Sequence, residues 1–101
     1  MIYIRFKGYD CQLEFGEYEN GRTVIILNDL QDDVLVAVAT INIPDFPLAP
    51  DFVLIKDYSE NKGMLKTLME AKVIAKPLLF IQTGAVSIPV CHLLIKPEKY
   101  D

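Results

Sequence analysis

The one histidine of the chain, His92, directly follows Cys91, one of two cysteines. A thiol beside an imidazole is a pairing that nucleophilic catalysis uses, with the ring taking the thiol proton. Both residues fall in an alternating apolar run from Val86 to Ile95. Consecutive strand residues point to opposite faces, so these two side chains part rather than meet. The reading taken is a half-buried strand histidine and two reduced core cysteines, Cys11 and Cys91. One His and two Cys at these positions fit no zinc spacing, so no metal is expected.

The acids offer two further chemistries. Asp29, Asp32 and Asp33 are close enough in sequence to suggest calcium, but the EF-hand ligand pattern and its glycine are missing. A solvated turn is the plainer reading. Asp45, Asp51, Asp57 and Glu60 could supply paired carboxylates for acid–base work. Each also has a local reason to be there, as a turn residue beside a proline or as a helix cap.

Gly16 to Gly21 lacks the Lys-Ser/Thr that completes a phosphate loop. Tyr3, Tyr9, Tyr18, Tyr58 and Tyr100 could stack on bases. No basic residues interleave with them, so surface or core-edge tyrosines are the simpler assignment. No cofactor is expected. The most suggestive surface combines a rigid connector with a helix entry: Asp45, Phe46 and Leu48 between prolines, then Asp57, Tyr58, Ser59 and Asn61. These seven are the candidate protein-binding residues.

The elements that must position them begin at 2–7, where Ile2, Ile4 and Phe6 alternate with Tyr3, Arg5 and Lys7. Gly8-Tyr9-Asp10 is expected to turn into a second strand carrying Cys11, Leu13 and Phe15. Asn20-Gly21 closes the next turn. Thr23 to Asn28 is apolar on both faces and belongs in the middle of a sheet. A long strand is expected from Val34 to Ile43, with Ala37 and Ala39 leaving room for something packed close. Pro44, Pro47 and Pro50 make an extended connector, and Phe52 to Lys56 a short strand. The spacing of Met64, Leu65, Leu68, Met69 and Ala71 predicts a helix near 60–73, with Asp57 and Glu60 at capping-box distance. Leu78 to Thr83 and Val86 to Ile95 form a closing hairpin around Gly84-Ala85. Pro89 should put the last strand at an edge or a bulge.

The fold expected is therefore α+β: a curled antiparallel sheet of six to seven strands covered by one helix. It is a single domain over 1–101 with a polar tail at 97–101. One helix cannot cover both faces of so apolar a sheet, so the sheet curls or a second copy covers it. With 101 residues there is one modest core, and 51% hydrophobic content excludes a disordered chain. No apolar run reaches the ~18 residues a membrane span needs. The first residues alternate and lack a leader's organisation, so a cytoplasmic protein is expected. The net charge of −4 disfavours direct nucleic-acid contact.

Four stretches carry a likeness. Glu17-Tyr18-Glu19-Asn20-Gly21-Arg22, 39–48, Lys56-Asp57-Tyr58-Ser59-Glu60-Asn61-Lys62-Gly63-Met64-Leu65 and 89–94 resemble, in order, a family of small proteins without established activity. That family is carried by bacterial conjugative elements and phages of gut anaerobes. The Tyr-Ser-Glu-Asn-x-Gly-Met-Leu stretch is the most specific part. The chain departs from the pattern at Ala71-Lys72, where the resemblance implies Ala-Gly. The resemblance implies a genomic setting and no catalytic residue.

The leading expectation is thus a non-enzymatic accessory protein of a mobile element. It acts by contact with an unidentified protein partner, or with a second copy as a homodimer. Two alternatives follow. One is an anti-defence inhibitor of a host nuclease or nucleic-acid-binding protein, suggested by the acidic balance. The other is a small enzyme with an acid site near Asp57 and Glu60.

Overall fold

A computed structural model describes residues 1–96. The polar tail assigned to 97–101 lies outside the described residues. The described residues are α+β, with seven antiparallel strands and one short α-helix. The expected single sheet divides in two. Strands β1 (Tyr3–Phe6), β2 (Tyr9–Glu17), β3 (Thr23–Asp29) and β4 (Leu35–Val38) form a meander in sequence order. Strands β5 (Phe52–Leu54), β6 (Leu79–Thr83) and β7 (Val86–His92) form a second sheet in the order β5-β7-β6. Among the described residues neither sheet closes on itself.

The first sheet follows its alternation. Ile4 and Phe6 of β1, Cys11 and Leu13 of β2, and Ile25 and Leu27 of β3 all point into one buried cluster. β3 is central, as its two apolar faces require. The first turn is tighter than expected. Lys7 and Gly8 make it with positive φ of 49° and 86°, so Tyr9 and Asp10 already belong to β2.

β4 is much shorter than the predicted 34–43. Its register against β3 shifts between Leu27 and Asn28, and ladder pairing ends at Val38. Beyond it Thr40 bridges to Ile55, and Ile41 N–H donates to the Leu54 carbonyl at 3.0 Å. The chain thus leaves the first sheet and touches the second, a change of partner that alternation cannot signal. Ala37 and Ala39 belong to the same buried cluster as Met64 and Leu68 of the helix.

The helix occupies less than the predicted 60–73. A 3-10 turn covers Ser59–Asn61, and α1 runs from Met64 to Glu70. Between them Lys62 leaves helical geometry and Gly63 takes φ 99°. That left-handed value is open to glycine and interrupts the predicted helix. At the other end Lys72 takes φ 61°, its N–H donating to the Met69 carbonyl, while Val73 N–H reaches the Leu68 carbonyl at 3.0 Å. This is a left-handed helix terminus of the kind glycine usually makes.

Pro89 overturns its expected place. It lies in β7, the central strand of the second sheet, paired with Phe80. The Pro89 carbonyl accepts from Ile55 N–H at 3.1 Å, on the β5 side and one residue past the end of β5. A strand residue directs its N–H and C=O to the same side. The donor that proline lacks would therefore point where β5 has already ended, and no ladder bond within β5 is lost.

β7 has a different cluster on each face. Cys91 joins the first, together with Val53. Ile88 and Val90 join Leu54 in a second, smaller cluster.

Candidate functional site

The second cluster places the connector. Phe46 and Leu48 pack on Leu54, Ile88 and Val90, and so do Ile41, Ile43 and Tyr58. Phe46, Leu48 and Tyr58 are each half-buried, one face on the cluster and one toward solvent. Asp45 and Ser59 beside them are exposed. Segments separated by ten residues thus share one surface.

The connector is tied down by a residue that sequence reading passed over. Arg22, just before β3, donates from Nη1 to the Ile43 carbonyl at 2.7 Å and from Nη2 to the Phe46 carbonyl. A planar guanidinium suits two carbonyls at once. Asn20 Nδ2 donates to Asn42 Oδ1 at 3.2 Å, and the Tyr18 and Thr40 hydroxyls lie 2.9 Å apart. The loop after β2 therefore clamps the chain where it crosses between sheets. Only the Asn-Gly turn beside Arg22 was visible in the sequence, and it says nothing of what the turn grips.

The helix-entry residues serve mainly the fold. Asp57 Oδ1 accepts from Gly63 N–H at 3.1 Å and Leu65 N–H at 2.9 Å. Asp57 thus satisfies N–H groups at the helix entry from across the 3-10 turn and not at the expected capping-box spacing, while Gly63 holds the N-cap position. Glu60 turns away from that role and pairs with Lys56 at 2.6 Å. The hydrogen bond from Lys56 holds the Glu60 carboxyl below its ordinary range and raises Lys56 in return. Lys56 Nζ also lies 5.5 Å from the centre of the Tyr58 ring. The Glu60 carbonyl accepts from Lys7 Nζ at 2.7 Å, joining this turn to the first hairpin. Asn61 is 1% exposed, and its Nδ2 donates to the Val38 carbonyl at 2.6 Å.

Two depressions flank the region. One of about 250 Å³ is lined by Asp57, Leu65, Lys66, Met69 and Glu70 among others. The other, about 420 Å³, runs along β4 and includes Tyr18, Thr40, Lys56 and Glu60. Asp57 and Glu60, the candidate acid pair, line different depressions.

Cys91 and His92 diverge as strand geometry requires. Cys91 is buried, and its thiol is pushed up to about 12 by desolvation, with the Asp57 charge adding to it. His92 is exposed, its ring 5.2 Å from that of Phe52. Cys11 is also buried and free, its thiol raised first by desolvation and then by the charges of Asp29 and Asp10. A raised thiol pKa makes the nucleophilic thiolate scarcer at neutral pH.

Among the described residues no group of three or more His, Cys, Asp or Glu side chains is arranged to hold a metal. No helix of the described residues is long and apolar enough to cross a membrane. No protein-family model matches the chain, and no curated protein or solved structure matches it either.

Proposed function

We propose that this chain is a non-catalytic contact protein of a mobile element. Its partner-binding surface is the place where the connector meets the helix entry. The observation that carries this reading is the convergence of Phe46, Leu48 and Tyr58 on one buried cluster while each stays partly open. An apolar centre with polar groups around it is the usual anatomy of a protein interface. Here Asp45, Ser59 and the Lys56–Glu60 pair supply the polar surroundings. Aromatic side chains held by packing lose little freedom on binding, which suits them as anchors. The clamp from Arg22 keeps the connector in place before any partner arrives.

The same reading takes the first sheet to curl around its core, with α1 as its cover. What supports that is the make-up of the first cluster, which draws on β1 to β4, on α1 and on the second sheet. The mobile-element setting rests on the sequence resemblance.

The test is capture with a tagged chain from a host lysate, with and without nuclease. Wild type should retain one stoichiometric protein regardless of nuclease. The double variant Phe46→Ala/Tyr58→Ala should lose it while keeping the wild-type circular dichroism spectrum. A folded double variant that still retained the partner would remove this surface from consideration.

A further inference from the structure

The Asn20-Gly21 turn joins β2 to β3 and carries a chemistry of its own. Tyr18 N–H donates to the Arg22 carbonyl and Gly21 N–H to the Tyr18 carbonyl, each at 2.8 Å, and Gly21 takes φ 84°. The side-chain amide of Asn20 is engaged at both atoms. Its Oδ1 accepts from Arg22 N–H at 3.2 Å, and its Nδ2 donates to Asn42 Oδ1 at 3.2 Å. Asn20 and Gly21 are both exposed. One side chain thus ties the turn to the place where the chain crosses between sheets. It lies next to the guanidinium that holds the Ile43 and Phe46 carbonyls.

An asparagine followed by glycine is open to intramolecular attack, because glycine sets no side chain beside the attacking nitrogen. The Gly21 nitrogen, once deprotonated, bonds to Asn20 Cγ. Nδ2 leaves as ammonia after taking a proton from water. Water then opens the five-membered imide at either carbonyl, giving aspartate or isoaspartate. One water is consumed, one ammonia is released, nothing is oxidised, and the new carboxyl ionises. Asn28, Asn42 and Asn61 precede Asp29, Ile43 and Lys62, whose side chains hinder the same approach, and Asn61 is buried as well.

We propose that Asn20 is a deamidation site gated by opening of this loop, and that isoaspartate there releases the connector. In the closed loop the N–H of the attacking nitrogen is bound to Tyr18 and the amide is held at both ends. Attack therefore waits on a local opening. Isoaspartate adds one atom to the main chain between residues 20 and 21. The Tyr18–Arg22 hydrogen bond no longer fits the lengthened turn, Asn42 loses its donor, and Arg22 is carried off the Ile43 and Phe46 carbonyls. This concerns the clamp itself and does not depend on what the connector binds.

The purified chain is followed in warm, mildly alkaline buffer, native and in urea. Peptide mapping locates acid formed from amide, and isoaspartyl methyltransferase labelling identifies isoaspartate. Conversion should occur at Asn20 ahead of Asn28, Asn42 and Asn61. It should be about tenfold or more slower in the native protein than in urea. It should be several-fold faster in folded Asn42→Ala than in native wild type, since that variant removes one anchor of the amide. Phe46 N–H donates to the Ile43 carbonyl at 3.1 Å. In the isoaspartyl form its exchange should rise about tenfold or more, with Leu27 of β3 unchanged. Asn20→Asp, with the charge but an ordinary main chain, should exchange like wild type at Phe46. No conversion at Asn20, or none ahead of the other asparagines, overturns the site. A native rate equal to that in urea, or unmoved in folded Asn42→Ala, overturns the gating. An isoaspartyl form whose Phe46 amide stays as protected as before overturns the release. A rise of the same size in Asn20→Asp overturns the main-chain account of it. If Asn42→Ala does not fold, the wild-type measurements alone still decide the site, the gating and the release.

Discussion

Replacing Asn61 distinguishes a structural residue from a contact residue. Its side chain is 1% exposed and supplies a donor to the Val38 carbonyl at 2.6 Å, just where β4 ends. In Asn61→Ala that part-buried carbonyl loses its partner, which costs about 1–3 kcal/mol. The void adds to this, so a loss of about 2–3 kcal/mol is expected. For a domain of this size the melting temperature should fall by on the order of 10 °C. Asn61→Asp sharpens the test. An ionised carboxylate there is buried and faces an acceptor, so its folded pKa must lie above the ordinary value of about 3.9. The folded state then holds the proton more tightly than the unfolded one. Relative to wild type, Asn61→Asp should be most stable below pH ~4 and should lose about 1.4 kcal/mol per pH unit above it until the folded pKa is reached. Urea unfolding at several pH values, with a common m-value, measures both effects. The reasoning fails if Asn61→Ala costs under about 0.5 kcal/mol, or if Asn61→Asp follows the wild-type pH profile.

Two further outcomes follow from the backbone and the core. Lys72→Gly should raise stability by about 0.5–1 kcal/mol in thermal unfolding, because Lys72 holds φ 61° at the helix terminus; a loss would mean the lysine side chain matters more than its backbone. Cys91 should resist a thiol reagent at pH 8 in the native protein and react once unfolded, since burial pushes its thiol up to about 12. An unfolded thiol ionises from about 8.5, so above that pH the folded state retains the proton and stability should drop as pH rises. Cys91→Val should flatten that alkaline fall.

Much of the fold was legible, and the misses share a cause. Ile4, Phe6, Cys11, Leu13, Ile25 and Leu27 alternate into the core as period-two spacing demands. The two apolar faces of β3 correctly placed it centrally. What alternation could not express is which strand pairs with which. Thr40 and Ile55 bridge across fifteen residues, where the chain has left the first sheet and touches the second. The general rule for proline points to an edge or a bulge, but Pro89 is tolerated in the central strand because β5 stops at Leu54. Gly63 and Lys72 cut the helix at both ends through backbone angles that the apolar stripe ignores.

The candidate surface was legible in the same partial way. Phe46, Leu48 and Tyr58 were grouped by type, and the structure sets them on one cluster. Asp57 was recognised at the helix entry, though not its reach across a 3-10 turn. Asn61 looked like surface because it is polar. Its burial is set by a carbonyl twenty-three residues away, for which the sequence holds no sign. Arg22 was missed for the same reason.

The order β5-β7-β6 has a consequence for synthesis of the chain. On the ribosome the β1–β4 meander can form from neighbouring segments as they emerge. Phe52–Leu54 cannot, because its partner Val90 comes about 36 residues later. At bacterial elongation rates that is a wait of roughly 2–7 s. During it the first sheet stands without the strand that brings Val53 to its core. The β6–β7 hairpin is what gives β5 its partner, so nascent chains halted before Val86 should be far more susceptible to protease than released protein.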